Sequence, residues 1–493
     1  MIEELYTNIE NGNDLRKNLS NLRKEIKEKT NKLSLLYKMG NNYNVLMDLL
    51  DNEDAKVRKN AALLLGELEI QEALDALFNK YKNEDKLFIK SSYIIGMSHL
   101  NCEKYLKDLK ERVKDLSKEE LTAENKKHIS GELKELTDII VKYEGIQKHK
   151  FIGYHEQSDM VLLTNRNYID ATLRQLEEKN AKAFNAGIML QTNELDKVLP
   201  VRTYQEALFV IPGMKTCAAD VYAAAKTIVN STLLDFLLVR HEGEAPFYFR
   251  VEVKSKMQLD KKSEFAKKLA AEIEILSQRK LINNTSNYEL EIRVIQNKSG
   301  EYNLLVKLFT ILDDRFTYRQ NVIATSIKPT NAALLVELAR DYMKEDAQVL
   351  DPFCGVGIML IERHKQVKAN TMYGIDLLDE AIEGARINTD EAHQIAHYIN
   401  KDFFDFTHEY LFDEVFTNMP FKIGRVTQEE IYELYYKFFF KIKEHLNSTG
   451  IIIMYSHDKE IVQKLAVQNG FVVAEMFEIS MKEGTYLFIL KQA

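Results

Sequence analysis

The stretch "VLDPFCGVGIMLIE", Val349 to Glu362, decides the fold of the last third of this chain. An apolar run ending in Asp351 reads as a buried strand, the glycines at 355 and 357 as a tight turn, and the aliphatic run beyond them as a helix. Strand, glycine turn and helix in that order make a crossover unit of a parallel sheet. Open sheets of this kind bind ligands beyond the carboxyl ends of their strands. Gly355 and Gly357 let the backbone come close to a ligand in dihedrals closed to other residues. The turn is not GxGxxG and lacks the Lys-Ser/Thr of a phosphate loop, which argues against NAD and ATP.

Moving outward, acidic strand ends recur. "MYGID" ends in Asp376, 25 residues after Asp351, and "NKDFFDF" places Asp402 and Phe403 at a third strand end, Asp402 lying 26 residues beyond Asp376. A carboxylate at the second end suits the two hydroxyls of a ribose. At the third, Asp402 can accept from an adenine amino group while the Phe403 ring covers its face. Capping of helices by Asp explains each residue singly. The register of all three around one glycine turn implies S-adenosylmethionine as cofactor.

The alternation of helix and strand runs from Pro329 through "AQVLDPFCGVG", "FDEVFTNMPF" and "GIIIMYSHD". It closes with "FVVAEMFEISM" and "TYLFILK", read as an antiparallel pair at the end of the sheet. Upstream the pattern changes twice. Residues 1–147 show only helical periodicity, with apolar residues three and four apart. There Asn52-Glu53-Asp54 returns as Asn83-Glu84-Asp85, 31 residues on, and Gly66 returns as Gly96, 30 residues on. A turn and a helix repeated at that period resemble a HEAT-type repeat. The region carries no chemical motif, which leaves it to dock a protein or RNA partner or to orient a substrate. Between lie short strands and helices, including one helix expected over about 218–238 and the alternating strand "FYFRVEVKSK" from Phe247.

With 493 residues the chain is too long for one core. Its net charge of -8 argues against a coat of positive charge for bulk nucleic-acid binding, but not against a local basic face. Cys102, Cys217 and Cys354 are scattered without metal-ligand spacing, so no metal site is expected and a reducing, cytoplasmic location is. No run of about 18 apolar residues is present, so no membrane partner is expected.

The last third resembles a class I methyltransferase of the type found in THUMP-containing RNA guanine-N2 methyltransferases. The likeness rests on the glycine turn, on "ATSIKPTNAALLVELA" (Ala324 to Ala339) and on the layout of the middle region. It extends from about Phe151 onward and leaves the helical region outside. It implies a multidomain α and α/β fold: a helical HEAT-like region (1–147), a ferredoxin-like α+β subdomain (148–215), a THUMP-like RNA-binding domain (216–318) and a Rossmann-like class I methyltransferase domain (319–493). It further implies that Pro329 and Thr330 help hold the methionine end of the cofactor, with Asp351, Phe353, Gly355 and Gly357 around it. Val356 and Ile358 depart from the Ser and Thr common at their positions, removing hydroxyls that could touch the cofactor.

The same resemblance gives "VFTNMPFKIGR" (Val415 to Arg425) its meaning. An exocyclic amino nitrogen attacks poorly because its lone pair is delocalised into the ring. A site helps by accepting both N–H hydrogens, here through the Asn418 side-chain oxygen and the Met419 carbonyl, while Phe421 stacks on an everted base. Met419 stands where the family often has Pro and lacks that residue's fixed φ. Pro420 restores part of the rigidity by pushing Met419 toward extended conformations. Asn418, Met419, Pro420 and Phe421 therefore form the expected catalytic loop, Asn418 also bordering the cofactor.

Lys422 and Arg425 follow the loop and are candidates for phosphate contacts. Arg250 to Lys268 holds seven basic residues against three acidic ones. Its Arg250, Lys254, Lys256, Lys261 and Lys262 are candidates to follow an RNA backbone, the competing reading being a solvated face paired with Glu264 and Glu272. The family points to guanine N2 of a tRNA acceptor stem, of the position 6 type. Guanine of 23S ribosomal RNA, adenine N6 of DNA and a decayed RNA-binding scaffold are the alternatives.

Overall fold

The computed structural model describes residues 2–119, 122, 124–177 and 180–493. The chain falls into two compact units, one of Met1–Ile152 with Ile211–Thr310, the other of Gly153–Val210 with Ile311–Ala493.

In the first unit the described residues up to Glu144 form helices and turns. The two matching segments identified in the sequence supply the helices Ala55–Glu67 and Leu87–Ser98, which cross at their glycines. A Cβ on Gly66 would lie 2.4 Å from the Gly96 carbonyl oxygen, so the close crossing requires a residue without one. The copies differ at their starts. Asp54 caps its helix by accepting the Lys56 N–H at 2.7 Å. Glu84, near the start of the second copy, instead accepts both Arg58 nitrogens (2.8 and 2.9 Å) and the Tyr93 hydroxyl, clasping one copy to the other.

The α/β part of this unit holds the strand Phe247–Lys254, parallel to both Leu281–Asn283 and Leu290–Gln296, with Tyr302–Leu308 antiparallel to the latter. The single helix expected over 218–238 is two, Val221–Val229 and Leu233–Arg240, bent by 44°. The break has a local cause. The Ser231 hydroxyl donates to Ile228 O at 2.6 Å and accepts the Leu233 N–H, while the Thr232 N–H donates to Pro212 O instead of continuing the helix.

In the second unit, residues 158–210 run strand, helix, strand, strand, helix, strand, and the second, third, first and fourth strands lie side by side in that order, all antiparallel. The rest is a seven-stranded sheet of β1 (Ala347–Asp351), β2 (Ala369–Asp376), β3 (His397–Asn400), β4 (Phe412–Asn418), β5 (Leu446–Ser456), β6 (Phe471–Ser480) and β7 (Thr485–Gln492). Its order is β3-β2-β1-β4-β5-β7-β6. The first five strands are parallel, and β7 wedges antiparallel between β5 and β6. The helices α1 (Pro329–Ala339), α2 (Ile358–Gln366), α3 (Asp379–Glu391), α4 (Gln428–Lys441) and α5 (Lys459–Gln468) accompany it. Two buried apolar layers, one holding Val349, Phe416 and Tyr455, the other Leu350, Val415 and Phe438, cover its two faces. That double burial explains why these strands read as continuous apolar runs. Strand order reverses at β1, between β2 and β4, which opens a crevice at their carboxyl ends.

Candidate active site

That crevice holds a cavity of about 550 Å³. Its floor is the glycine turn. Gly355 and Gly357 take φ of 52° and 82°, in the left-handed region that favours glycine. A Cβ on Gly357 would sit 2.4 Å from the buried Tyr398 hydroxyl, whereas one on Gly355 would meet nothing nearer than 3.8 Å. The first glycine leaves room above the turn and the second lets it pack below.

The turn is tied to the next strand end. The Gly355 N–H donates to Asp376 Oδ2 at 2.9 Å, and the Leu378 N–H donates to Oδ1 at 3.0 Å. Asp376, Asp402, Phe353 and Phe403 all line the cavity, as do Val356 and Ile358. Phe403 is nearly fully buried and packs edge-on against Phe353, their centroids 5.9 Å apart. Asp402 accepts the Phe404 N–H at 2.9 Å, which holds its carboxylate at the strand end.

Asp351, Pro329 and Thr330, all expected at the cofactor, stand elsewhere. Asp351 is fully buried and does not reach the cavity wall; its Oδ1 accepts the Phe353 N–H at 3.2 Å, supporting the turn from beneath. Burial pushes its carboxyl up to about 7, and the charge of Asp376 adds to the effect. The neighbouring Thr417 hydroxyl and the Phe353 N–H favour the ionised form, but burial outweighs them. Pro329 is buried at the first position of α1, and Thr330 lines a neighbouring cleft. The wall expected from those two is built by Ile323 and by Thr325 to Ile327, just before the helix.

On the opposite wall β4 delivers Asn418 at its carboxyl end. Its Oδ1 is buried and has no hydrogen-bond partner among the described residues, an acceptor held ready at the cavity. Met419 is fully buried and its N–H donates to Tyr455 O at 2.9 Å. A proline in that slot could not make this bond, so the hydrogen bond and the buried side chain supply rigidity of another kind. The Tyr435 hydroxyl joins Ser456 Oγ at 2.8 Å and reaches Pro420 O at 3.3 Å, bracing the loop from α4. Phe421 stacks on His457, centroids 4.3 Å apart and planes 23° apart, while also lining the cavity. Lys422 and Arg425 are exposed just beyond.

Sequence reading missed His457, Tyr435 and the pair Leu377 and Leu378, which line the cavity although more than half exposed. Two leucines directly after the acidic strand end at Asp376 were the available signal.

The basic stretch belongs to the other unit. Arg250 lies 2.6 Å from the buried Glu291 carboxylate, which it shares with Arg293, and over the Tyr288 ring at 4.2 Å. Lys254 pairs with Glu252 at 2.6 Å, and Lys268 with Glu264 at 2.6 Å. Lys256 and Lys261 are exposed and Lys262 half-buried.

Comparison with known proteins bears on this arrangement. Residues 317–485 match the family model UPF0020, described as an RMKL-like methyltransferase domain. TrmN from Thermus thermophilus is similar in structure, with a TM-score of 0.52 at 16% identity, over 69% of this chain and 100% of that one. SMU.472, a putative methyltransferase complexed with SAH, gives 0.53 at 13% identity, over 68% and 98%. A predicted N6-adenine-specific DNA methylase from Listeria monocytogenes gives 0.51 at 17% identity, over 68% and 96%. Residues 317–485 are a methyltransferase domain, and its cofactor is S-adenosylmethionine. The residues present fit that cofactor: open space over Gly355, a carboxylate at Asp376 for hydroxyls, and apolar walls for a flat base.

Proposed function

We propose that the protein methylates the exocyclic N2 of guanosine in RNA, with a tRNA acceptor stem, of the position 6 type, as the target. The observation that carries this reading is the unpartnered Asn418 Oδ1 at the cavity wall. An unsatisfied buried acceptor costs roughly 1–3 kcal/mol, and a substrate N–H removes that cost. Asn418 Oδ1 and the Met419 carbonyl accept the two amino hydrogens, which leaves the nitrogen lone pair directed at the methyl group. Phe421, backed by His457, gives the base a surface to stack on. S-adenosylmethionine supplies a methyl group already activated by its sulfonium, so the protein's share is positioning.

The rest of the chain supports RNA as the substrate. The order of the four antiparallel strands within 158–210 suits a ferredoxin-like subdomain, and the α/β part of the first unit suits a THUMP-like domain. The paired helices crossing at Gly66 and Gly96 suit HEAT-like repeats that dock a partner.

Transfer of tritiated methyl to total tRNA, ribosomal RNA and DNA, followed by nucleoside analysis, tests the reading. N2-methylguanosine in tRNA is expected. N6-methylated adenine in DNA, a product the same pair of acceptors would serve, overturns it.

A further inference from the structure

A second cleft, of about 870 Å³, opens beside the cavity in the same unit. The two share a wall. Along the segment leading into the first turn of α1, Ser326 and Ile327 line the cavity, whereas Lys328 and Thr330 line the cleft. Across the sheet, Asn418 pairs in register with Tyr455, which lines the cleft. Side chains alternate along a strand, so Asn418 points to the side of Phe416, and Phe416 shares a buried layer with Tyr455. The Asn418 oxygen and the cleft therefore lie on one face of the sheet.

The cleft's chemistry is polar. Arg166, Lys328 and Lys482 line it, are exposed, and among the described residues make no ion pair. Arg166 is held in place by its neighbours: Asn165 Nδ2 donates to Ile479 O at 2.8 Å and Asn167 Nδ2 to Glu478 O at 3.0 Å. Glu206 and Glu483 also line the cleft, which leaves one net positive charge and several hydroxyls and amides. Cations with no carboxylate of their own suit phosphates, while carboxylates and amides suit ribose hydroxyls and base edges. An everted nucleotide needs its strand held on either side of the pocket.

Resting on the RNA reading above, we propose that this cleft binds the ribose–phosphate backbone next to the target nucleotide, with phosphates on Arg166, Lys328 and Lys482. None of the three touches the cofactor cavity. In the full-length chain, the combined Arg166→Gln, Lys328→Gln and Lys482→Gln variant raises KM for RNA about tenfold or more while kcat at saturating RNA stays within about twofold. The slope of log Kd against log salt becomes shallower by about 2, near 0.7 for each single-strand phosphate contact. Each single variant is expected to make the slope shallower by about 0.7, so the proposal remains testable if the triple variant folds poorly. Calorimetry with S-adenosylmethionine reports the fold and is expected unchanged. Unaltered KM and salt slope, with cofactor affinity intact and the wild type methylating RNA, overturns the cleft proposal alone. A wild type that methylates no RNA overturns the functional reading and the cleft with it.

Discussion

At the scale of the residue, the site depends on atoms left without partners. Replacing Asn418 by Ala removes one acceptor and is expected to lower kcat about 10²- to 10³-fold. Calorimetry is expected to show cofactor affinity little changed, because Gly355 and Asp376 remain. The buried Asp351 makes a prediction in pH. Its folded value of about 7 lies above the unfolded value, so its contribution to stability is full below about pH 4 and is lost as pH rises through 7. Asp351→Asn stays neutral, so relative to the wild type it gains on the order of 3 kcal/mol between pH 4 and 8. Denaturant melts at several pH values check the sign. His457→Ala removes the support behind Phe421 and is expected to raise KM for RNA several-fold, with His457→Phe restoring it. Spacing along the chain displays Asp376, Asp402 and the glycines, since each follows directly from a strand end. It does not display His457, whose stack on Phe421 exists only once β4 and β5 lie side by side. Nor does it show that the Met419 N–H, the group a proline lacks, takes over the stiffening of the loop.

At the scale of the element, the crossing of Ala55–Glu67 with Leu87–Ser98 is the tightest demand on the helical region. A methyl on Gly66 or Gly96 would lie 2.4 to 2.5 Å from a backbone oxygen of the facing helix, where no side chain can move aside. Gly66→Ala or Gly96→Ala is therefore expected to destabilise by about 1–3 kcal/mol, read as a lowered Tm of the first unit with kcat of the second unchanged. The repeated glycine was visible in the sequence, and its purpose became visible with the crossing. The bent pair Val221–Val229 and Leu233–Arg240 shows the opposite case. Apolar periodicity continues smoothly through Asn230 to Thr232, so it masks a break made by the Ser231 hydroxyl and the Thr232 N–H.

At the scale of the whole molecule, each compact unit is assembled from two separated stretches of chain. Linear reading orders four regions along the sequence but carries no signal for which of them share a core. Residues 153–210 join the methyltransferase through Asn165 on the Ile479 carbonyl and Arg202 on the buried Glu362 carboxylate, contacts between positions more than 150 residues apart. Two thermal transitions are expected. S-adenosylmethionine at about 100 times its Kd adds roughly 2.7 kcal/mol to the unit that binds it, so calorimetric scans are expected to show one transition rising and the other fixed.

The wedge of β7 between β5 and β6 bears on synthesis. As the polypeptide leaves the ribosome, β5 and β6 emerge before the strand that must sit between them, and each offers a bare edge until Thr485–Gln492 arrives. Unpaired edges of this kind invite aggregation. A chain that stops before Thr485 would therefore keep both edges bare and yield a sticky product for chaperones and proteases to clear.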